Sequence, residues 1–204
     1  MQDVRFHKKL KKSFYQRELI KVARDLLGKI LVKSCDDKII SGKIVELEAY
    51  HGDFDQAAHS YGGITNRNKI MFEEGGYLYV YFTYGAHHCC NVVTGKKGQG
   101  TAVLIRAVEP VSGIDLMIKN RFGRNLKNDK EIFNLTSGPG KLCKAFGIDR
   151  SHSGIDLTGK EIFILDNEKI PDDKTGVSTR IGITRSTDLP WRFFIKNNPY
   201  LSRK

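Results

Sequence analysis

The clearest pattern along the chain is alternation of apolar and polar positions. Residues 77–84 read YLYVYFTY, so Tyr77, Tyr79 and Tyr81 share one face of a strand and Leu78, Val80 and Phe82 the other. Tyr84 closes that strand against Gly85, where the backbone can turn sharply. A second stretch, residues 42–63, reads GKIVELEAYHGDFDQAAHSYGG. In its strand portion Ile44, Glu46, Glu48 and Tyr50 point one way and Val45, Leu47 and Ala49 the other. Residues 30–32 and 39–50 form an early hairpin turning at Asp36-Asp37. Further strands are predicted at 87–94 and 102–108, the latter ended by Pro110, and shorter ones at 161–165, 179–184 and 192–196.

Helical spacing is confined to a few places. Leu19, Val22, Ala23, Leu26 and Leu27 recur at helical period behind a Ser13/Gln16 capping-box pair and ahead of Gly28. Ile114, Met117 and Ile118 mark a second helix, followed by a basic loop over 121–130. Ser137 is placed to cap a third, carrying Leu142, Cys143 and Phe146 and closed by Gly147. Strands cluster and do not alternate regularly with helices. The pattern predicts an α+β fold with a curved, mostly antiparallel sheet flanked by helices. Residues 1–12 are expected to form a basic N-terminal arm and 13–204 a single domain.

Composition narrows the class. Among 204 residues, 40% are hydrophobic and 28% charged, as in globular chains. The formal net charge of +11 favours a polyanionic partner, either nucleic acid or an anionic membrane surface. No apolar run approaches the ~20 residues that span a bilayer, and no signal-peptide segment follows the N-terminal lysines. The four cysteines have no metal-type spacing and no disulfide framework, which suits a reducing cytoplasm.

The candidate chemistry sits on these strands. Two carboxylates among apolar neighbours are expensive to bury without partners. For the strand alone, a wet Glu46/Glu48 face is the simpler reading. The following Ala57-Ala58-His59-Ser60 changes the picture, because a carboxylate, an aromatic and a histidine on one strand-turn unit can serve a base-binding hydrolytic site. Arg106 stands among Leu104, Ile105, Ala107 and Val108, so its guanidinium requires a carboxylate or phosphate partner. His87-His88-Cys89-Cys90 alternate across a strand and cannot converge on one tetrahedral ion; core cysteines and groove-facing histidines account for them. Ser137 to Lys141 lacks Walker spacing, since Leu142 stands where Ser or Thr would hold magnesium. A helix N-terminus with a lysine can still hold one backbone phosphate.

Several motifs occur in one order: V-E-L-E-A-Y, A-A-H-S, Y-V-Y-F-T-Y-G, Asn91, L-I-R-A-V-E-P and S-G-P-G-K-L. Together they resemble the alkyladenine (3-methyladenine) DNA glycosylase family over about residues 19–194. The resemblance implies a monofunctional glycosylase that flips alkylated or deaminated purines (3-methyladenine, 7-methylguanine, hypoxanthine, ethenoadenine) out of double-stranded DNA and hydrolyses the N-glycosidic bond in base excision repair. It implies no metal and no organic cofactor. Glu48 matches the catalytic glutamate and Arg106 the arginine that orients the attacking water, with the Ile181 carbonyl beside it. Tyr50, His59 and Tyr81 match the walls of the base pocket, and Asn91 the residue that crowds the guanine 2-amino group. Tyr84 matches the wedge that fills the gap left by the flipped base; Lys141 and Arg67 match phosphate contacts. The chain departs from the family at Ala86 and His87, where relatives carry bulkier and aromatic residues, and in a shortened loop over 64–69. The expected partner is damaged duplex DNA, with no membrane partner, a monomeric state and a cytoplasmic location (the nucleoid in a prokaryote, the nucleus in a eukaryote). Two other readings remain: a non-catalytic module binding single-stranded nucleic acid, and an enzyme of free nucleosides.

Overall fold

The computed structural model describes residues 8–35, 38–83 and 85–203. Eight strands form one sheet: β1 Ile30–Cys35, β2 Lys38–Tyr50, β3 Leu78–Thr83, β4 His87–Thr94, β5 Thr101–Ser112, β6 Ile162–Leu165, β7 Thr175–Ser178 and β8 Arg192–Ile195. The order is β3-β4-β5-β2-β1-β6, with β8 pairing both β2 and β7. The pairings are antiparallel. Helices α1 Lys12–Tyr15, α2 Leu19–Leu26, α3 Ile114–Phe122 and α4 Pro139–Phe146 complete the α+β fold expected from the sequence. Among the described residues no helix is long and apolar enough to cross a membrane.

β2 is the hub. One edge runs along β5, while the other edge pairs first with β1 and then, at Glu46 to Glu48, with β8. The change of partner falls at a pair of compensating irregularities. Ile44 faces Val108 but Glu46 faces Ala107, which leaves Val45 extra on β2; Leu47 then faces Ile105, which leaves Arg106 extra on β5. Such bulges re-aim side chains. Ile44 consequently joins Leu47 and Ala49 in the main core cluster, not the carboxylate face that simple alternation predicts. Nor is that carboxylate face wet: Glu46 and Glu48 are both 0% exposed.

Other elements also depart from the sequence pattern. The first helical stretch is split, and α2 is capped by Glu18, whose carboxylate accepts from the Ile20 and Lys21 amides, in place of the Ser13/Gln16 pair. Gly138, not Ser137, is the N-cap of α4, with Pro139 in its first turn; Ser137 instead bridges Ala107. β5 runs through Pro110 to Ser112, because Pro110 pairs with Gly42 at another register shift, where a missing donor is tolerated. The strand expected at 179–184 lies earlier, as β7, and residues 179–184 form an irregular segment that reaches the central cavity. Of the expected basic arm, residues 1–7 fall outside the described residues, as does the Asp36-Asp37 turn. Leu10 is buried and its amide donates to the Ile164 carbonyl, and Lys9 bridges Leu165, so residues 8–10 lie along β6.

The main core lies between the sheet and the helices. Val22, Ala23 and Leu26 of α2, and Leu142, Cys143 and Phe146 of α4, pack into the same cluster as Leu47, Val103 and Ile105. The α2 face is therefore secured by tertiary packing, since eight residues are too few for a stable isolated helix. Leu26→Ala should lower the unfolding free energy by about 2–5 kcal/mol, measured by urea denaturation.

Candidate active site

One line across the sheet assembles the site. Tyr79 of β3 pairs with Asn91 of β4, Asn91 with Leu104 of β5, Leu104 with Glu48 of β2, and Glu48 with Arg192 of β8. Side chains in register project to one face, so residues from five strands converge there. Two positions further along β3, Tyr81 faces Cys89 of β4. The convergence encloses a cavity of about 370 Å³. Tyr50, His59, Tyr81, Asn91 and Arg106 line it, with Tyr79, Cys89, Pro139 and Ile181.

Glu48 is buried directly behind three of these residues. The Tyr50 hydroxyl donates to Oε2 at 2.8 Å, and Arg106 Nη1 lies 3.1 Å from the same oxygen. The Ile181 amide donates to Oε1 at 2.7 Å. The carboxylate is thus held in a polar shell one side chain deep from the cavity, not in packed hydrocarbon. A carboxylate has roughly four acceptor positions. The Tyr50 bond and the Arg106 ion pair occupy Oε2 and the Ile181 amide takes one position on Oε1, which among the described residues leaves a second position there. Burial, and then the Glu48 charge, hold the Tyr50 hydroxyl in its protonated, donating form by raising its pKa.

Arg106 answers the burial problem posed by its sequence neighbours. Its Nε donates to Glu46 Oε1 at 3.0 Å, so the guanidinium sits between two buried carboxylates. Burial by itself opposes its charge; Glu48 and Glu46 outweigh that and raise its pKa. A second guanidinium, Arg192, donates to Glu46 Oε1 at 2.8 Å. Two carboxylates and two guanidiniums therefore balance in the interior.

The aromatic walls are tightly interlocked. The His59 ring stands edge-on to Tyr81, with centroids 4.3 Å apart, and its Nδ1 is 3.1 Å from the Tyr79 hydroxyl. Tyr79 and Tyr81 stack at 5.6 Å. The outer side of His59 is open to solvent, yet desolvation of its inner side, and then the Arg67 charge, lower its pKa. Burial pushes the Cys89 thiol up to about 11. Asn91 donates from Nδ2 to the Tyr79 carbonyl at 3.3 Å, which fixes its amide at the cavity wall. Ser60 turns away from its histidine neighbour and donates to the Gly100 carbonyl.

The remaining sequence candidates are placed apart from the carboxylate. Arg67 donates to the Phe82 carbonyl, and its guanidinium is 5.8 Å from the Tyr81 ring centroid. Lys141 lies in the first turn of α4, beside the cavity residue Pro139, and donates to the Asn134 side chain. Tyr84 falls outside the described residues; its neighbours Thr83 and Gly85 flank the β3–β4 turn. Among the described residues no three His, Cys, Asp or Glu side chains cluster as metal ligands.

Sequence reasoning missed three supporting residues. Asp55 and Arg180 form a fully buried pair, with Arg180 Nη2 donating to Oδ1 at 2.8 Å. Asp55 also accepts from the His51 and Ala57 amides, and the Arg180 guanidinium lies 4.6 Å from the Tyr50 ring centroid. This pair ties the loop after β2 to residues 179–184 and backs Tyr50. Asn68 is buried in the basic loop and donates to the His59 and Gly63 carbonyls, fixing the His59 loop. The signal for the pair was an aspartate and an arginine flanking recognised motifs, separated by over a hundred residues.

The chain is similar to known proteins over nearly its whole length. A family model described as methylpurine-DNA glycosylase matches residues 13–199. A protein of Alkaliphilus oremlandii named "Putative 3-methyladenine DNA glycosylase" is 48% identical over 96% of this chain and 100% of its own. Proteins with the same name from Clostridium novyi and Carboxydothermus hydrogenoformans are 48% and 47% identical, over 97% and 96% of this chain and 100% and 99% of their own. These matches define an enzyme that hydrolyses N-glycosidic bonds in DNA. The chain belongs to the methylpurine-DNA glycosylase family.

Removing Asp55 leaves a buried guanidinium without its counter-ion. Asp55→Ala should destabilise the protein by about 3–5 kcal/mol, read from chemical denaturation. By NMR, the His59 imidazole should titrate below the ordinary value of about 6.5. Arg67→Ala should raise that midpoint, because a neighbouring cation disfavours the imidazolium.

Proposed function

We propose that the protein removes alkylated or deaminated purines from double-stranded DNA by turning the damaged nucleotide into the cavity and hydrolysing its N-glycosidic bond. The substrates in this reading are 3-methyladenine, 7-methylguanine, hypoxanthine and ethenoadenine. The observation that carries it is that Tyr50, Arg106 and Ile181, which line the aromatic cavity, are the three groups that hold the buried Glu48 carboxylate.

In this reading Glu48 is the general base. A water admitted beside Ile181 donates to the remaining position on Oε1 and attacks the anomeric carbon, while Arg106 orients it. The carboxylate charge also favours the cationic sugar that develops as the bond breaks. Tyr50, His59 and Tyr81 enclose the everted base, and stacking contributes roughly 1–3 kcal/mol per base. A neutral His59 imposes no repulsion on a base that carries a positive charge from alkylation. Asn91 crowds the 2-amino group of normal guanine and so rejects the abundant base.

Tyr84, which follows β3 in the sequence, fills the gap in the duplex, offsetting part of the few kcal/mol of unstacking. Lys141 at the rim and Arg67 behind Tyr81 hold backbone phosphates, consistent with the net charge of +11. The protein acts as a monomer in the compartment that holds the chromosome, the cytoplasm of a prokaryote or the nucleus of a eukaryote.

Single-turnover release of free hypoxanthine from a duplex tests the reading. Glu48→Gln should slow release by about 10²–10⁴-fold while damaged-duplex affinity, read by fluorescence anisotropy, stays close to that of the parent protein. Release at the parent rate would remove Glu48 as the base. A parent protein that binds single strands and releases no base would favour the non-catalytic reading, and a preference for free nucleosides over duplex would favour the third.

A further inference from the structure

Glu46 has no part in the chemistry above, yet it is as deeply buried as Glu48 and more heavily bonded. Besides Arg106 and Arg192 it accepts two bonds from one residue near the end of the chain. The Ser202 hydroxyl donates to Oε1 at 2.8 Å and the Ser202 amide to Oε2 at 2.6 Å. That hydroxyl also accepts from Arg106 Nη2 at 3.1 Å. The last segment is anchored for this contact. Asn198 donates to Glu109 at 3.0 Å, Tyr200 packs edge-on to Phe133, and the Arg203 carbonyl accepts from Arg192 Nη2 at 2.6 Å. Ser202 lies beyond residue 199, where the family match ends.

We propose that Glu46 and Ser202 are positioning residues that hold the Nε–Nη2 edge of Arg106, so that only Nη1 reaches Glu48. The inference rests on the reading of Glu48 as general base. A guanidinium with one buried anion available forks onto it with two parallel N–H bonds. Such a fork would occupy the acceptor position that water needs and would pull charge from the base. Glu46 supplies the competing anion, and Ser202 closes the edge between them. The guanidinium is divided in that way: Nε on Glu46 with a longer contact to Ser202, Nη2 on Ser202 and Nη1 beside Glu48. The C-terminal segment thereby acts on the base across Arg106, without touching the cavity.

The acid limb of the pH–rate profile reports the ionisation of the base. The charged and titratable groups around Glu48 are Tyr50 and Glu46 from β2, Cys89 from β4, Arg106 from β5 and Arg192 from β8. Loss of Ser202 or Glu46 frees Arg106 to fork onto Glu48. The carboxylate then ionises more easily, so the acid limb moves to lower pH while the neutral-pH rate falls.

The experiment is single-turnover hypoxanthine release by the full chain across that limb, with duplex affinity measured in parallel. Ser202→Ala removes only a hydroxyl and should cut the neutral-pH rate about tenfold, shift the limb to lower pH and leave affinity unchanged. Ser202→Thr, which keeps the hydroxyl, should restore both rate and limb. Glu46→Gln should show the larger change in the same direction. If Glu46→Gln does not fold, the Ser202 pair decides. A Ser202→Ala protein with parent rate and parent limb overturns the proposal, as does a slowed variant whose limb does not move, which marks a structural role. Glu48→Gln is run alongside. Full activity in that variant ends the base assignment itself, whereas its inactivity together with an unaltered Ser202→Ala ends only the positioning role.

Discussion

Two carboxylates and two guanidiniums share one buried polar cluster. Glu46 and Glu48 carry the negative charge, and Arg106 and Arg192 the positive. Each of these charges would carry a large desolvation cost if left unpaired at that depth. Their mutual arrangement is therefore compulsory: each fixes the position of the next. β2, β5 and β8 have to be adjacent, and the bulges at Val45 and Arg106 have to be present, for the set to close. The hub of the sheet and the polar centre of the site are one construction.

The cavity inherits its precision from that construction. Its walls stand on strands, whose register places Tyr79, Asn91, Leu104 and Glu48 in one line. The parts on irregular chain are fastened separately: Asn68 holds the His59 loop, and the Asp55–Arg180 pair holds residues 179–184 against Tyr50. Rigid elements carry the carboxylate and aromatic faces, while bonded loops close the opening.

Burial of the carboxylate is consistent with this chemistry. Glu48 reaches the cavity through groups that donate to it, and each of those groups is itself in the wall. The same donors hold the carboxylate in place beside the cavity wall.

Local periodicity alone determined much of this protein. Alternation located β3 and β4, the buried setting of Arg106 demanded an anion, and ordered motifs carried the family. The positions of Tyr50, Tyr81 and Asn91 around one cavity required the register of four strands, and that of His59 a loop fastened to them, which no local pattern encodes. Alternation failed at Ile44 because a bulge shifts parity, and a bulge depends on the partner strand. It failed for the Glu46/Glu48 face because burial of a charge depends on counter-ions brought from distant chain. Asp55–Arg180 and Glu46–Ser202 join residues more than a hundred positions apart, so only the folded chain could pair them. Sequence specifies which groups must be satisfied; tertiary structure decides which partner satisfies them, because electrostatic and hydrogen-bond energies depend on distance in space and not along the chain.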